Sequence, residues 1–302
     1  MKLCGHTMGT PGKSAVEAIR FFSEIGLEGI ELRCAANGQL DTDTATDGEL
    51  AAIRAAAEDV GITIACLTPY LRSFATAEAA AETLAGYERA CRAAALVDCG
   101  LVRATGGVWP LQGATREDIW EHTVAGLQQA ADIAEAHGVS LALENHSGTL
   151  TQTARDTVAM VRQVDRENFG ILMDHFWVVA AAGQVGACPD AVAPALEPED
   201  PLAAAALQAP YVLHCHCKNL VWQEGKPVAN FLNEGEIDWL RVLRILHERG
   251  YDGFLSDEYE KFWRPELPEP EVGMARNARF LRECLLKLGY CLLYTSPSPR
   301  DS

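Results

Sequence analysis

YVLHCHCKN, residues 211–219, begins as an apolar run and then carries a polar group at every second position. The three polar groups are His214, His216 and Lys218. Alternate side chains of a strand point to opposite faces, so these three share one face. Cys215 and Cys217 take the other face, as small apolar residues. Two imidazoles and an ammonium group on one face of a buried strand are costly without partners. The stretch therefore reads as one wall of a polar site, whose other walls must come from elsewhere in the chain.

Outward from this strand, the chain alternates between two periodicities. Strands are expected at residues 2–6, 29–33, 62–68, 101–104, 140–146, 169–174 and 253–260, besides the one around 211–219. Helices fall between them, with Ser14 and Asp238 as N-caps and Gly61 and Gly138 as stops. A short helix over 201–208 follows a Pro- and Ala-rich loop, and a last helix spans about 271–288. Eight strands alternating with about eight helices imply a parallel sheet with crossover helices, and eight repeats close a barrel. The fold class is thus α/β, a (β/α)8 TIM barrel. An open doubly wound sheet is the competitor, but HTMGTPGK (residues 6–13) lacks the Gly-rich turn expected after its first strand. TGGVWPLQG (105–113) fits neither phosphate-cradling pattern and reads as a plain loop.

Length and composition agree with one globular unit. A chain of 302 residues with 48% hydrophobic and 22% charged residues can be a single large barrel. No apolar run is long enough for a membrane helix, and the first strand begins at once, so neither a membrane span nor a secretory signal is expected. The ten Cys show no CxxC or metal-finger spacing and read as reduced thiols of a cytoplasmic protein. A net charge of −17 without a Lys/Arg cluster argues against nucleic acid as a partner. The end of the chain, CLLYTSPSPRDS (291–302), departs from the pattern and looks like read-through of a sequencing-library adaptor, or else a disordered Ser/Pro tail. The barrel domain is accordingly set at residues 1–290, with 291–302 left out; on the adaptor reading the natural C-terminus is missing.

In a barrel of this kind functional groups gather at the C-terminal ends of the strands. The late strands end in Glu144 with His146, in Asp174, in His216 with Lys218, and in Glu258 with Glu260. Period-two counting places each polar group opposite bulky neighbours: Ala142, Glu144 and His146 against Leu141 and Leu143, Leu172 with Asp174, Ser256 with Glu258 and Glu260. Three carboxylates crowding one barrel mouth would repel each other, and a divalent cation relieves that. Three oxygen donors and one nitrogen suit Mn²⁺, Mg²⁺, Co²⁺ or Zn²⁺, with positions open for substrate. His214, one step deeper, reads as a support behind the site, and Glu260 as a residue beyond its ring.

ALENH, ILMD, LHCHCKN and YDGFLSDEYE, in this order, resemble the xylose-isomerase-like barrel superfamily of sugar isomerases and epimerases, which also contains inosose dehydratases and the endonuclease IV branch. The resemblance spans residues 1–290. It implies Glu144, Asp174, His216 and Glu258 as metal ligands, with manganese first among the metals, and Glu144 and Glu258 as the proton-transfer pair. It also implies a homo-oligomer. One departure stands out: where many members carry a His three residues after the strand-six Asp, this chain has Trp177. The ends of strands three and four supply no extra His ligands, which argues against the endonuclease branch. The reading that follows is a metal-dependent isomerase or epimerase of a ketose or related polyol-type sugar. Proton transfer next to a carbonyl would pass through an enediolate. His146, Lys218 and Arg103 are candidates to hold substrate oxygens, and Trp109, Trp177 and Trp222 to cover or stack on the sugar. The alternatives are a dehydratase or lyase acting on an inosose or 3-keto-glycoside at the same site, a non-catalytic sugar-binding barrel, and an abasic-site nuclease.

Overall fold

A computed structural model of the chain describes residues 1–180 and 199–290. The 291–302 tail and most of the Pro- and Ala-rich loop before residue 199 lie outside the described residues. Eight parallel strands form a closed barrel: β1 (Lys2–His6), β2 (Gly29–Cys34), β3 (Thr63–Pro69), β4 (Leu101–Thr105), β5 (Ser140–Glu144), β6 (Phe169–Asp174), β7 (Val212–Cys217) and β10 (Phe254–Asp257). Each pairs with the strand before and after it in sequence, and β10 closes the ring onto β1. The TIM barrel expected from the alternation is the observed fold.

The outer helices are α1 (Ala15–Glu24), α2 (Asp47–Val60), α3 (Ala77–Leu96), α4 (Arg116–Ala136), α5 (Ala154–Val164), α7 (Pro201–Gln208), α8 (Trp239–Glu248) and α9 (Pro270–Lys287). Their starts follow from local chemistry. Ser14 and Thr46 each close a capping box, with Glu17 and Glu49 respectively, and Asp238 caps α8. Gly61 ends α2 in the left-handed region at φ 69°, a conformation that costs glycine nothing.

The main apolar core lies between the sheet and the helices, and it takes up Leu141, Leu143, Ile171, Cys215 and Cys217. Inside the barrel the apolar plug is small: Cys66, Ala142 and Leu172 form it, with Leu101 against them. Above that plug the interior is polar. The eight Cys among the described residues are free and buried. Among the described residues no helix is long and apolar enough to cross a membrane.

Three local features differ from the sequence reading. β5 stops at Glu144 and β10 at Asp257, so His146, Glu258 and Glu260 stand on the loops just past their strands. The stretch after Asp174 opens as a short helix, α6 (His175–Ala180), where a loop was expected. The Asp174 carboxylate itself favours this turn, because its Oδ1 accepts the Phe176 N–H at 3.1 Å. A hairpin, β8 (Asn219–Gln223) with β9 (Lys226–Asn230), rises after β7. Glu224 and Gly225, both at positive φ, make its tight turn. Pro227 hides this strand from a sequence reading, yet a two-stranded ribbon tolerates a missing N–H.

Candidate metal centre

Glu144, Asp174, His216 and Glu258 come together at the C-terminal end of the barrel, with ligand atoms all within 4.8 Å of one another. Register explains the convergence. Asp174 pairs with His216 across β6 and β7, and Ser256, two residues before Glu258, pairs with His216 across β7 and β10. All four residues are buried. His216 Nδ1 lies 2.9 Å from Glu258 Oε2, 3.2 Å from Glu144 Oε1 and 4.0 Å from Asp174 Oδ2. The first two distances are within hydrogen-bond reach and the third is not, yet among the described residues none of the four atoms makes a hydrogen bond. Four buried ligand atoms gathered at one point without a hydrogen bond, two of them met only by the Lys218 ammonium, are what a divalent cation would satisfy. The residues present therefore fit a metal ion with three oxygen ligands and one nitrogen.

Two cations press on this ring. Lys218 Nζ sits 2.7 Å from Asp174 Oδ2 and 2.8 Å from Glu258 Oε2, with Glu260 at 3.5 Å. Arg103 Nη1 pairs with Glu144 Oε2 at 3.1 Å, and the same guanidinium donates to the Pro69 carbonyl. Burial pushes the Glu144 carboxyl up, but Arg103, His146 and His216 outweigh it and bring it down to about 2. Glu258 is likewise held well below the usual carboxylate range, since His216 and Lys218 overcome its burial. Asp174 goes the other way: burial, with Glu258 and Glu144 nearby, raises it to about 7 against the pull of Lys218 and His216. His216 is buried too, yet Glu258, Glu31 and Glu144 raise it well above an ordinary imidazole.

A cavity of about 330 Å³ opens onto the ring from the barrel mouth. Glu144, Glu258, Lys218, Arg103, His146 and Trp177 line it, as do Glu260, Tyr70 and Trp263. His146 Nδ1 donates to the Ser147 carbonyl at 2.7 Å, which leaves Nε2 able to accept from a hydroxyl. Trp177 packs on the His146 ring at 4.6 Å between centroids, with Lys218 Nζ 5.1 Å from its own ring centre. Trp109 and Trp222 are not among the lining residues. Trp109 packs against the main core, and Trp222 stands on the β8 ribbon, 38% exposed.

Two buried residues were missed from sequence. Glu31, in the middle of β2, has no exposed surface and holds both His214 and His216. His6, on β1, has its tautomer fixed on both sides. Its Nδ1 accepts the Met8 N–H at 2.9 Å, and its Nε2 lies 3.1 Å from Thr68 Oγ1, whose proton goes to the Leu32 carbonyl. The signal for Glu31 was the alternation already used for the late strands, since Gly29, Glu31 and Arg33 share a face opposite Ile30 and Leu32.

Comparison with known proteins places this chain in a family. An inosose dehydratase of Lacticaseibacillus casei is 25% identical over 160 residues, covering 48% of each chain. A D-psicose 3-epimerase of Ruminiclostridium cellulolyticum is 24% identical over 151 residues, covering 48% of this chain and 44% of the relative. The chain thus spans about half the length of these curated relatives. The crystal structure of a xylose isomerase-like TIM barrel protein from Mycobacterium smegmatis in complex with magnesium superposes with a TM-score of 0.71 at 18% identity, covering 95% of this chain and 97% of that one. The family model described as "Xylose isomerase-like TIM barrel" matches residues 19–284, and the chain belongs to that family.

Proposed function

We propose that this protein is a divalent-metal-dependent sugar isomerase or epimerase that moves a proton on the carbon next to a carbonyl. The carrying observation is the placement of Glu144 and Glu258. Both approach His216 Nδ1 within 3.2 Å, yet they come from β5 and β10, three strands apart in a ring of eight. They therefore face the cavity from different sides, which suits removal of a proton from one face of a substrate and its return elsewhere. Glu144, Asp174, His216 and Glu258 would hold the ion, with Mn²⁺ as the proposed metal. A divalent ion there would polarise the carbonyl and offset the negative charge of an enediolate.

The chain's own groups supply the rest. One glutamate accepts the proton from carbon, and because both carboxylates are held ionised the proton returned on the other side would come from a neighbouring acid. Lys218 Nζ, 2.8 Å from Glu258 Oε2, is the proton-bearing neighbour on that side. Arg103 fixes the Glu144 carboxylate in place, and His146 Nε2 is free to orient a hydroxyl. Trp177 lines one side of the cavity, where it would shield a bound substrate from water. A dehydratase on an inosose is the second reading, favoured by the named activity of the L. casei relative. Its first proton abstraction is shared. The proposed substrate is a small carbohydrate, the proposed setting cytoplasmic, and the proposed assembly a homo-oligomer.

The test is NMR in D₂O with Mn²⁺-activated protein and a panel of ketoses and inososes. Deuterium should enter at the carbon next to the carbonyl, and Glu144→Gln and Glu258→Gln should each slow this by about 10²–10⁴-fold. A conjugated enone appearing with loss of water selects the dehydratase. Ion binding with no exchange on any substrate would leave only a binding barrel.

A further inference from the structure

We propose that Glu31 is the positioning residue of the metal centre: its carboxylate turns the His216 ring so that Nε2 carries a proton and Nδ1 faces the ion. The inference rests on the four-ligand reading above and extends it to a residue outside the cavity.

Glu31 Oε1 lies 2.8 Å from His216 Nε2, while Oε2 lies 3.1 Å from His214 Nε2 and 2.5 Å from Ser256 Oγ. An ionised carboxylate only accepts, so all three partners must donate to it. That assigns the proton on His216 to Nε2 by geometry and leaves Nδ1 on the side of Glu144 and Glu258. Ser256 and His214 in turn hold Glu31 in one orientation, so His216 rotation is blocked from behind. A carboxylate bonded to the far nitrogen of a ligating imidazole also strengthens the near nitrogen as a donor.

Glu31, His214 and His216 could be read instead as a second ion site, since their ligand atoms too fall within 4.8 Å. The contacts count against it. The two Nε2 atoms and the Ser256 hydroxyl already engage both Glu31 oxygens.

Glu31→Gln keeps the shape but must donate through its amide nitrogen, so it cannot serve three donors. The experiment is a Zn²⁺ titration against a competing chelator for wild type and Glu31→Gln. Thermal melting of the metal-free forms and histidine ¹⁵N NMR of the zinc-loaded wild type accompany it. The expected result is one ion per chain, bound about 10–100-fold more weakly by the variant, with His216 protonated at Nε2 and ligating through Nδ1. Zinc affinity within twofold of wild type, even with a lower melting temperature, would mean that Glu31 only supports the fold. Two ions per chain, or ligation through Nε2, overturns the assignment from wild type alone, whether or not the variant folds. A wild type that binds no zinc defeats the metal centre itself, which separates that failure from a failure of Glu31.

Discussion

Lys218 offers the sharpest test of the metal centre, because it occupies the same oxygens that an ion would need. Its ammonium lies 2.7 Å from Asp174 Oδ2 and 2.8 Å from Glu258 Oε2, with the side chain 4% exposed. Without metal it neutralises the ring, and with metal it is a like charge beside the ion. Lys218→Met keeps the length and removes the charge. Breaking a buried ion pair costs about 3–5 kcal/mol. Asp174, already raised to about 7, can limit the loss by taking a proton, so the lower end applies. For a barrel of this size about 3 kcal/mol corresponds to roughly 5 °C in the melting temperature of the metal-free protein.

Ion binding should change in the opposite direction. Charges of +1 and +2 about 5 Å apart repel by about 7 kcal/mol even at an effective dielectric constant of 20. Lys218 escapes part of that by swinging into the cavity, so a net gain of at least about 1.4 kcal/mol, tenfold in Mn²⁺ affinity, is expected on removing it. Calorimetric titration of EDTA-stripped protein measures the affinity, and melting with and without Mn²⁺ measures the stability. The variant should melt lower without the ion and recover most of the difference with it. If Lys218→Met binds Mn²⁺ tenfold more weakly while its metal-free form melts like wild type, Lys218 does not compete for the ligand oxygens. The four-atom assignment would then fail.

Two further outcomes follow from the charge states. An ion requires deprotonated ligands, yet His216 is held protonated well above its ordinary value and Asp174 sits at about 7. Binding at pH 7 should therefore release between one and two protons per ion and strengthen as pH rises; titrations in PIPES and Tris, which differ in ionisation enthalpy, count them, and zero release contradicts this ligand set. His6 makes stability depend on pH in its own right, because burial lowers its imidazole to about 4 while the unfolded chain titrates near 6.5. Between those values the unfolded state binds more protons, so stability falls as pH drops through the window, by about 3 kcal/mol in all. His6→Gln should make the urea-unfolding profile shallower between pH 6.5 and 4, with His175, which burial also lowers to about 4, keeping part of the slope, and an unchanged profile would remove His6 as a source.

The late strands were legible because each states its own orientation. In LALEN and ILMD bulky apolar residues oppose the polar group, in HCHCK small cysteines do, and in LSDE Ser256 shares the face of Glu258; one period-two count aims all four groups inward. The count held even past the strand ends: Glu258, fixed by its N–H to the Cys217 carbonyl, still joins the ring, and His146 still lines the cavity. Trp109 and Trp222 show its limit, since a tryptophan on a connection has no period to say which way it faces.

Glu31 was hidden for a different reason. Its histidine partners are 183 and 185 residues away, and in GIELR alone the Glu31 charge, two residues from Arg33, calls for no distant partner. Only closure of the ring turns that charge into a requirement. β2 and β7 are not neighbours: β1 and β10 separate them, so their inward side chains meet by reaching across the barrel interior. An interior whose apolar plug is as small as Cys66, Ala142 and Leu172 leaves that layer to be filled by polar groups, and buried polar groups must find partners. A His-X-His strand in a closed ring therefore calls for an acceptor on a strand across the interior. Once the eight-strand count is made, the early strands should be searched for the carboxylate that answers the late ones.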